Sequence, residues 1–271
     1  MPEKFLEEAR VISNRAFAPD LWSLCLDAPR LAAATAPGQF VQLPTGDEAH
    51  LLRRPVSVYQ ADASAGTIEL LYQVLGDGTR LISGWQEGER YPVLGPLGTS
   101  WPVPATTRRA LLIGGGIGTA PLALLAQRLK APADPGVSVC MIQAAPTAER
   151  LVARELFEPL VDRWLCATDD GSAGARGLIT GPLAQLLEQD GSWDVAYVCG
   201  PEVMQVPVAE LCAAHGITCY VSLERRMACG IGVCLGCVVK TTGGLQRVCL
   251  NGPIFNAEEV CWDDNVASRV H

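Results

Sequence analysis

From Arg109 to about Glu224, short apolar runs alternate with stretches of helical periodicity, and this alternation limits the fold more than any other feature of the chain. The runs RALLIGG, GVSVCMIQA, RWLCATDD, WDVAYVCGP and ITCYVSLE read as buried strands, whereas APLALLAQRLK and GLITGPLAQLLEQ read as helices. Strands and helices taken in turn predict a parallel sheet with crossover helices. Up to about residue 100 the pattern is different: QFVQL (39–43), RPVSVYQ (54–60) and TIELLYQVL (67–75) are β-type runs separated by Gly, Pro and Asp. That spacing predicts a small antiparallel barrel or sandwich. The Pro- and Gly-rich segment YPVLGPLGTSWPVPATTRR (91–109) reads as a boundary, and a short Gly- and Cys-rich tail follows Glu224. The expected organisation is multidomain: an antiparallel β-barrel over 1–101, an α/β parallel-sheet domain over 102–223 and a small cysteine domain over 224–271.

Composition narrows the partners. A net charge of −8 argues against a chain that wraps nucleic acid or rests on anionic lipid. The one membrane-like run, ALLIGGGIGTAPLALLA (110–126), falls short of the roughly 20 residues of a spanning helix and is broken by glycines and Pro121. Neither a nucleic acid nor a membrane is therefore expected as a partner. The opening MPEKFLEEARVISNRAF carries acidic residues and no apolar leader core, so the expected location is the cytoplasm. A reducing compartment leaves thiols free for metals. Of the eleven cysteines, Cys25, Cys140, Cys166, Cys199, Cys212, Cys219 and Cys261 are scattered through mostly apolar stretches, and only Cys229, Cys234, Cys237 and Cys249 form a group. His50, His215 and His271 lie in no cluster of candidate ligands and read as surface residues.

The segment LLIGGGIGTAPLALLAQRL places Gly114, Gly115, Gly116 and Gly118 after an apolar strand and before a helix that Pro121 would open. Glycines there let backbone approach a pyrophosphate, and a helix start offers free N–H donors. Thr119 replaces the last glycine of the dinucleotide fingerprint, so a purely structural turn is an open reading. Ligands of open parallel sheets collect at the carboxyl ends of strands, where this chain has TDDGSAG (168–174) and CGPEVM (199–204). Asp169 or Asp170 would accept from ribose hydroxyls and repel an added phosphate, favouring NAD over NADP; a solvated acidic turn is the other reading. Cys199, ahead of Gly200 and Pro201, either faces a nicotinamide or only packs.

In LLRRPVSVYQ, Arg54 and Ser57 stand three apart on an expected strand. A guanidinium can grip a pyrophosphate while a nearby hydroxyl reaches a ring nitrogen. GDGT (76–79) adds a backbone-rich anion cradle, although an arginine pair is more often a charged rim.

The cysteine group reads C-x4-C-x2-C, with a fourth thiol after eleven intervening residues. Zinc sites usually carry two short pairs, and only one is present. A redox-active C-x-x-C opens a helix, whereas Cys234 and Cys237 lie among glycines. The spacing is that of a plant-type [2Fe-2S] site, and Gly230, Gly232 and Gly236 suit a loop with unusual backbone angles and N–H groups close to sulfur. Between Cys237 and Cys249 a compact hairpin is expected around TTGGL.

R-P-x-S in a barrel, GGGIG-x-A-P and CGP in a sheet domain, and the terminal cysteine pattern together resemble the ferredoxin reductase superfamily. More narrowly, SLERRMACGIGVCLGCVVK followed by RVCLNGPIF is similar to the electron transfer subunits of type B dihydroorotate dehydrogenase, and the similarity runs over essentially the whole chain. The resemblance implies bound FAD, a [2Fe-2S] cluster and NAD. It also implies a heterotetramer with an FMN-containing dihydroorotate dehydrogenase catalytic subunit, which oxidises dihydroorotate to orotate in pyrimidine biosynthesis. Electrons would pass from FMN through the cluster and FAD to NAD+. Carried over by motif, FAD contacts fall on Arg54, Pro55, Val56, Ser57, Leu71, Tyr72, Gln73, Gly78 and Thr79. The expected NAD contacts are those of the glycine turn and the strand ends, Gly115, Gly116, Gly118, Asp169, Cys199, Gly200 and Pro201, where the superfamily varies. Cluster ligands fall on Cys229, Cys234, Cys237 and Cys249. Two other readings share the motifs: a subunit of another NAD(P)H:ferredoxin oxidoreductase or hydrogenase complex, and a structural zinc module. Ile231, Val233, Leu235 and Phe255 form either a docking face or ordinary packing.

Overall fold

The computed structural model describes residues 3–131 and 136–263 and divides into two compact units. One unit contains the chain up to Ser100 together with Glu224–Val238 and Gln246–Pro253; the other contains Trp101–Leu223, Val239–Leu245 and the chain from Ile254.

In the first unit six antiparallel strands close a barrel: β1 (Phe5–Ala18), β2 (Leu21–Asp27), β3 (Phe40–Leu43), β4 (Arg54–Asp62), β5 (Thr67–Gln73) and β6 (Arg90–Leu97). Their order is β1-β2-β5-β4-β3-β6, with β6 pairing back onto β1. Alternation builds the interior, because successive side chains on a strand point to opposite faces. Leu24 and Leu26 of β2, Ile68 and Leu70 of β5, and Val58 of β4 are all fully buried. Burying each such side chain contributes on the order of 1.5–3 kcal/mol. The helix Asp77–Ser83 covers part of this core with Ile82, and Asn14 Nδ2 donates to the Ile82 and Trp85 carbonyls at 2.9 and 3.3 Å. Glu7, near the start of β1, accepts from the backbone N–H groups of Arg30 and Leu31 at 3.0 and 2.8 Å, satisfying donors that the start of helix Pro29–Ala34 leaves unpaired.

The three expected strands of this region correspond to β3, β4 and β5. β6 lies in the segment read as a boundary, since Pro92, Gly95 and Pro96 disguise it. Gly95 is needed there: a Cβ would stand 2.8 Å from Val41 Cγ1 of the neighbouring β3.

The second unit is a seven-stranded sheet made of β7 (Arg109–Gly115), β8 (Ser138–Ala145), β9 (Arg163–Thr168), β10 (Ala175–Arg176), β11 (Val195–Cys199), β12 (Thr218–Ser222) and β15 (Ile254–Asn256). The order is β10-β9-β8-β7-β11-β12-β15. All neighbours are parallel except β12 and β15. Ala110, Leu111, Leu112 and Ile113 of β7 are all fully buried, the continuous apolar run of a strand covered on both faces. The expected parallel sheet is therefore present, and the antiparallel edge strand β15 is an addition drawn from the tail. Phe255 of β15 is 7% exposed and pairs with Val221, so it packs in the sheet instead of facing a partner.

From β7 the sheet grows through β8 and β9 on one side and through β11 and β12 on the other, so the strand order reverses between β7 and β11. The α-helix that follows β7 begins at Ala123, later than Pro121 would place it; Gly116–Leu122 is a 3-10 segment with Pro121 inside. The tighter coil holds the glycine turn against the strand ends before the wider helix starts.

Two short strands complete the chain, β13 (Val238–Thr241) and β14 (Gly244–Arg247), paired through a turn in which Gly244 has φ +98°. This is the compact hairpin expected around TTGGL. No helix among the described residues is long and apolar enough to cross a membrane.

Candidate functional site

The arginine-serine motif opens β4, directly after the loop that carries Leu51 and Leu52. Arg54 donates to the Leu52 carbonyl and lies over Gly78, where a Cβ would run into the guanidinium. The structure thus brings together two segments separated in sequence, RPVS and GDGT. Thr79 orders the second: its Oγ1 accepts from the N–H groups of Leu75 and Gly76 at 3.0 and 3.3 Å and donates to the Gly76 carbonyl at 3.1 Å. Arg53 is turned the other way, donating to the carbonyls of Gln42 and Pro92.

Strand alternation sorts the remaining candidates. Gln42 pairs with Pro55 and Phe40 with Ser57, so these four residues share one face, while Val56 and Val58 turn to the other. On β5, Tyr72 is 4% exposed on the interior side and its hydroxyl donates to Asn14 Oδ1 at 2.9 Å. Leu71 and Gln73 point the opposite way, and Gln73 Nε2 donates to Asp20 Oδ2 at 2.6 Å. Burial leaves the Tyr72 phenol a poor acid, outweighing the bond to Asn14, which acts the other way. Its side chain is therefore committed to the barrel, and only its backbone is free to serve a ligand on the outer face.

At the switch point of the sheet, the Gly114–Gly118 turn meets the end of β11. A Cβ on Gly118 would stand 2.7 Å from Gly200 Cα, and one on Gly115 would stand 2.5 Å from Met204 Sδ and 3.2 Å from Pro201 Cδ. Gly200 itself has φ +153°, and Gly116 has φ +55°. Two backbone turns touch at the place where doubly wound sheets receive dinucleotides. Cys199 is 2% exposed at the end of β11, packed where the two turns meet. Just after β9, Asp169 donates its N–H to the Ala145 carbonyl at 3.2 Å. Asp170 is engaged within its own turn, accepting from Ser172 N at 2.9 Å and Ser172 Oγ at 2.6 Å. Those two bonds hold the Asp170 carboxyl below the usual range, the side-chain bond contributing most.

Sequence reading missed Gln205, which holds this site in place. It is 1% exposed, and Nε2 donates to the carbonyls of Gly200 at 2.6 Å and Ser222 at 2.9 Å, tying the ends of β11 and β12. A glutamine four places after a C-G-P turn, on the first turns of the helix Glu202–Ala214, is the signal that could have found it. Gln205→Leu leaves two carbonyls without that donor, each costing about 1–3 kcal/mol if it stays buried. We expect a lower melting temperature together with a higher NADH concentration at half-saturation in a flavin-reduction assay; unchanged values for both would refute the clamp.

The cysteine segment supplies four thiols in two pairs. Cys229 accepts from Cys234 N at 3.5 Å, Cys234 from Gly236 N at 3.4 Å and Cys237 from Cys249 N at 3.5 Å. Burial works against the Cys229 thiolate, but the N–H groups of Cys234, Ile231 and Val233 outweigh it and bring the thiol down to about 6. Cys249 goes the other way, to about 12, because it is buried beside Cys237 and feels Cys229. Among the described residues no three of these groups stand around one metal position. The donor chemistry nonetheless suits iron–sulfur ligation: four thiols lie in two pairs, and backbone N–H groups point at three of the sulfurs. Gly230 and Gly232 have φ of +68° and +87°, as expected. Gly236 does not; the third left-handed residue is Leu235, at +58°, and Gly236 contributes its N–H to Cys234 instead. Cys249 sits in a one-turn helix, Val248–Asn251, after β14 has ended, which turns its side chain fully inward.

Ile231, Val233 and Leu235 are 42%, 74% and 59% exposed, forming an apolar skin over the loop. His50 is hydrogen-bonded to Asp47 and His215 to the Leu211 carbonyl, both away from the cysteines in sequence; His271 lies outside the described residues.

A closed antiparallel barrel, a doubly wound sheet with a glycine-lined switch point and a four-cysteine segment make up a ferredoxin reductase-like electron-transfer fold. Residues 224–261 match the family model described as the iron–sulfur cluster binding domain of dihydroorotate dehydrogenase B. The dihydroorotate dehydrogenase B (NAD(+)) electron transfer subunit of Geobacillus thermodenitrificans is 39% identical over 261 residues, covering 94% of this chain and 98% of that one. The subunit of the same name from Desulforamulus reducens is 33% identical over 264 residues, with the same coverage of 94% and 98%. Among solved structures, an NADH-dependent reduced ferredoxin-NADP oxidoreductase superposes with a TM-score of 0.88 at 27% identity, covering 96% of this chain and 92% of its own. The chain belongs to the family of dihydroorotate dehydrogenase B electron transfer subunits.

Proposed function

We propose that this chain is the flavin- and cluster-bearing subunit of an NAD-linked dihydroorotate dehydrogenase, carrying electrons between NAD and an FMN-containing catalytic subunit. The observation that carries the reading is the coincidence, in a chain of this family, of three separate constellations: Arg54 over Gly78, the touching glycine turns at the switch point, and the paired thiols of the cysteine segment. A bound flavin would supply the exchange between two-electron hydride chemistry and one-electron transfer. The chain's own residues do the holding. Arg54 presents a fork of donors suited to a pyrophosphate, with Gly78 leaving room for it; Ser57 offers its hydroxyl from the outer face of β4. Leu71, Gln73 and the backbone of Tyr72 continue that face, and Thr79 fixes the Gly76 turn. Gly115, Gly116, Gly118, Gly200 and Pro201 would cradle the nicotinamide dinucleotide, with Cys199 closing the floor. Cys229, Cys234, Cys237 and Cys249 would ligate the [2Fe-2S] cluster. No general acid or base is called for in hydride transfer, in keeping with the absence of any histidine from the cysteine segment.

The likeness to a reduced ferredoxin-NADP oxidoreductase supports a second reading, a subunit of that kind of complex. The two differ in partner. Mixing the loaded chain with a candidate FMN subunit and assaying dihydroorotate-dependent reduction of NAD+ separates them: turnover is expected here, and none with a correctly loaded complex would count against the first reading. The location that goes with it is the cytoplasm, and the assembly a heterotetramer of two copies of each subunit.

Asp169 gives the nucleotide preference. A carboxylate at the end of β9 accepts from ribose hydroxyls and repels a 2′-phosphate. A hydrogen bond to a charged group contributes about 1.5–3 kcal/mol. Asp169→Ser should therefore raise the NADH concentration for half-maximal flavin reduction about 10-fold or more and narrow the preference over NADPH. An unaltered NADH to NADPH ratio would remove Asp169 from the site.

A further inference from the structure

One buried polar side chain has no place in the contacts described above. Gln42 of β3 is fully buried, and neither Nε2 nor Oε1 has a hydrogen-bond partner among the described residues. A buried amide with both ends unpaired is costly relative to an apolar residue of the same shape, so its retention calls for a partner.

Its surroundings say where that partner stands. Gln42 pairs with Pro55, which puts its side chain on the same outer face of the barrel as Pro55 and Ser57. Across that face lies the cysteine loop: a Cβ on Gly230 would stand 2.7 Å from Gln42 Nε2 and 2.9 Å from its Cγ. Gly230, at φ +68°, directly follows Cys229. Farther along β3, Phe40 and the second cysteine segment both come close to Gly98, where a Cβ would meet Phe40 Cε1 at 3.0 Å and Pro253 Cδ at 2.5 Å. The amide is thus held between the arginine-serine strand and the loop that begins at Cys229, with its nitrogen toward the loop.

We propose that Gln42 is a positioning residue for the iron–sulfur centre, its carboxamide nitrogen donating a hydrogen bond to sulfur at the Cys229 end of the bound cluster. The inference rests on the cluster assignment proposed above. A donor aimed at sulfur stabilises the form with the extra electron, so it raises the reduction potential of the cluster. It also explains the glycine after Cys229, because any side chain there would displace the amide.

The test uses the full-length protein loaded with flavin and cluster. Gln42→Leu keeps the volume and removes the donor. The expected result is a cluster that assembles with normal iron content, a lower cluster midpoint potential in an EPR-monitored titration, and an unchanged flavin potential. In parent protein labelled with 15N at glutamine side chains, pulsed EPR of the reduced cluster should show a weak nitrogen coupling that disappears in the variant. An unmoved cluster potential, or the absence of any such coupling in the parent protein, overturns the proposal. So does a shift confined to the flavin, which would hand Gln42 to that cofactor. If Gln42→Leu does not fold, the coupling in the parent protein decides alone. A protein that takes up flavin and never iron would overturn the cluster assignment itself, an outcome recognised by its iron content.

Discussion

Replacing Cys234 by serine is expected to abolish the iron–sulfur centre while flavin remains bound. Cys234 is exposed, and its sulfur is met by the N–H of Gly236 at 3.4 Å, so it contributes nothing to a packed core. A hydroxyl at that position is a poor ligand for iron that prefers thiolate. The barrel that carries Arg54, Ser57 and Gly78 is closed by its own six strands and does not depend on this side chain. Iron and acid-labile sulfide should therefore fall from cluster stoichiometry to near zero in Cys234→Ser, with the flavin content of the parent protein. The same substitution at Cys249 is a poorer test, because that thiol is fully buried beside Cys237 and its loss would disturb packing as well as ligation. A Cys234→Ser protein with full iron content would remove this residue from the ligand set.

The second large effect is expected at Gly118. A Cβ there would stand 2.7 Å from Gly200 Cα and 2.8 Å from Gly200 N, and neither is the movable end of a flexible side chain. The two turns must part for Gly118→Ala to fold. Overpacking of this kind costs about 1–3 kcal/mol. Because the displaced atoms are those proposed to cradle the dinucleotide, the loss should fall on NADH first: about 5- to 150-fold weaker NADH binding, at about 1.4 kcal/mol for each factor of ten. Flavin and iron content should stay at parental levels, since those sites belong to the other compact unit. Reduction by dithionite should then proceed normally while reduction by NADH slows. Equal NADH affinity in the variant would contradict the placement of the site at the switch point.

The sequence carried the architecture wherever chemistry and periodicity agreed. The alternation after Arg109 became β7, β8, β9, β11 and β12, and the glycines after β7 met the C-G-P turn after β11 because strand order reverses between those two strands. What escaped were features set by contacts distant in sequence. β6 hides behind Pro92 and Pro96, whose cost is offset by pairing on both edges, with β1 and β3. β15 is three residues long and acquires its identity only by lying against β12. The inward turn of Tyr72 follows from the register of β5, which no local pattern encodes. Likewise Gln42 and Gln205 look like ordinary polar residues in the linear chain. The burial of Gln42 against Gly230 and the bond of Gln205 to Gly200 exist only once the chain is closed. Leu235 took a left-handed conformation where a glycine stood next in line, because Gly236 serves the loop through its N–H.

The most direct test is one titration: addition of NADH to the anaerobically purified chain, followed by visible absorption and EPR. Flavin bands and a broad iron–sulfur absorption are expected to bleach together, with the EPR signal of a reduced [2Fe-2S] centre appearing as they do. A colourless protein that holds zinc on its cysteines and does not respond to NADH would contradict the assignment of flavin and cluster to this chain.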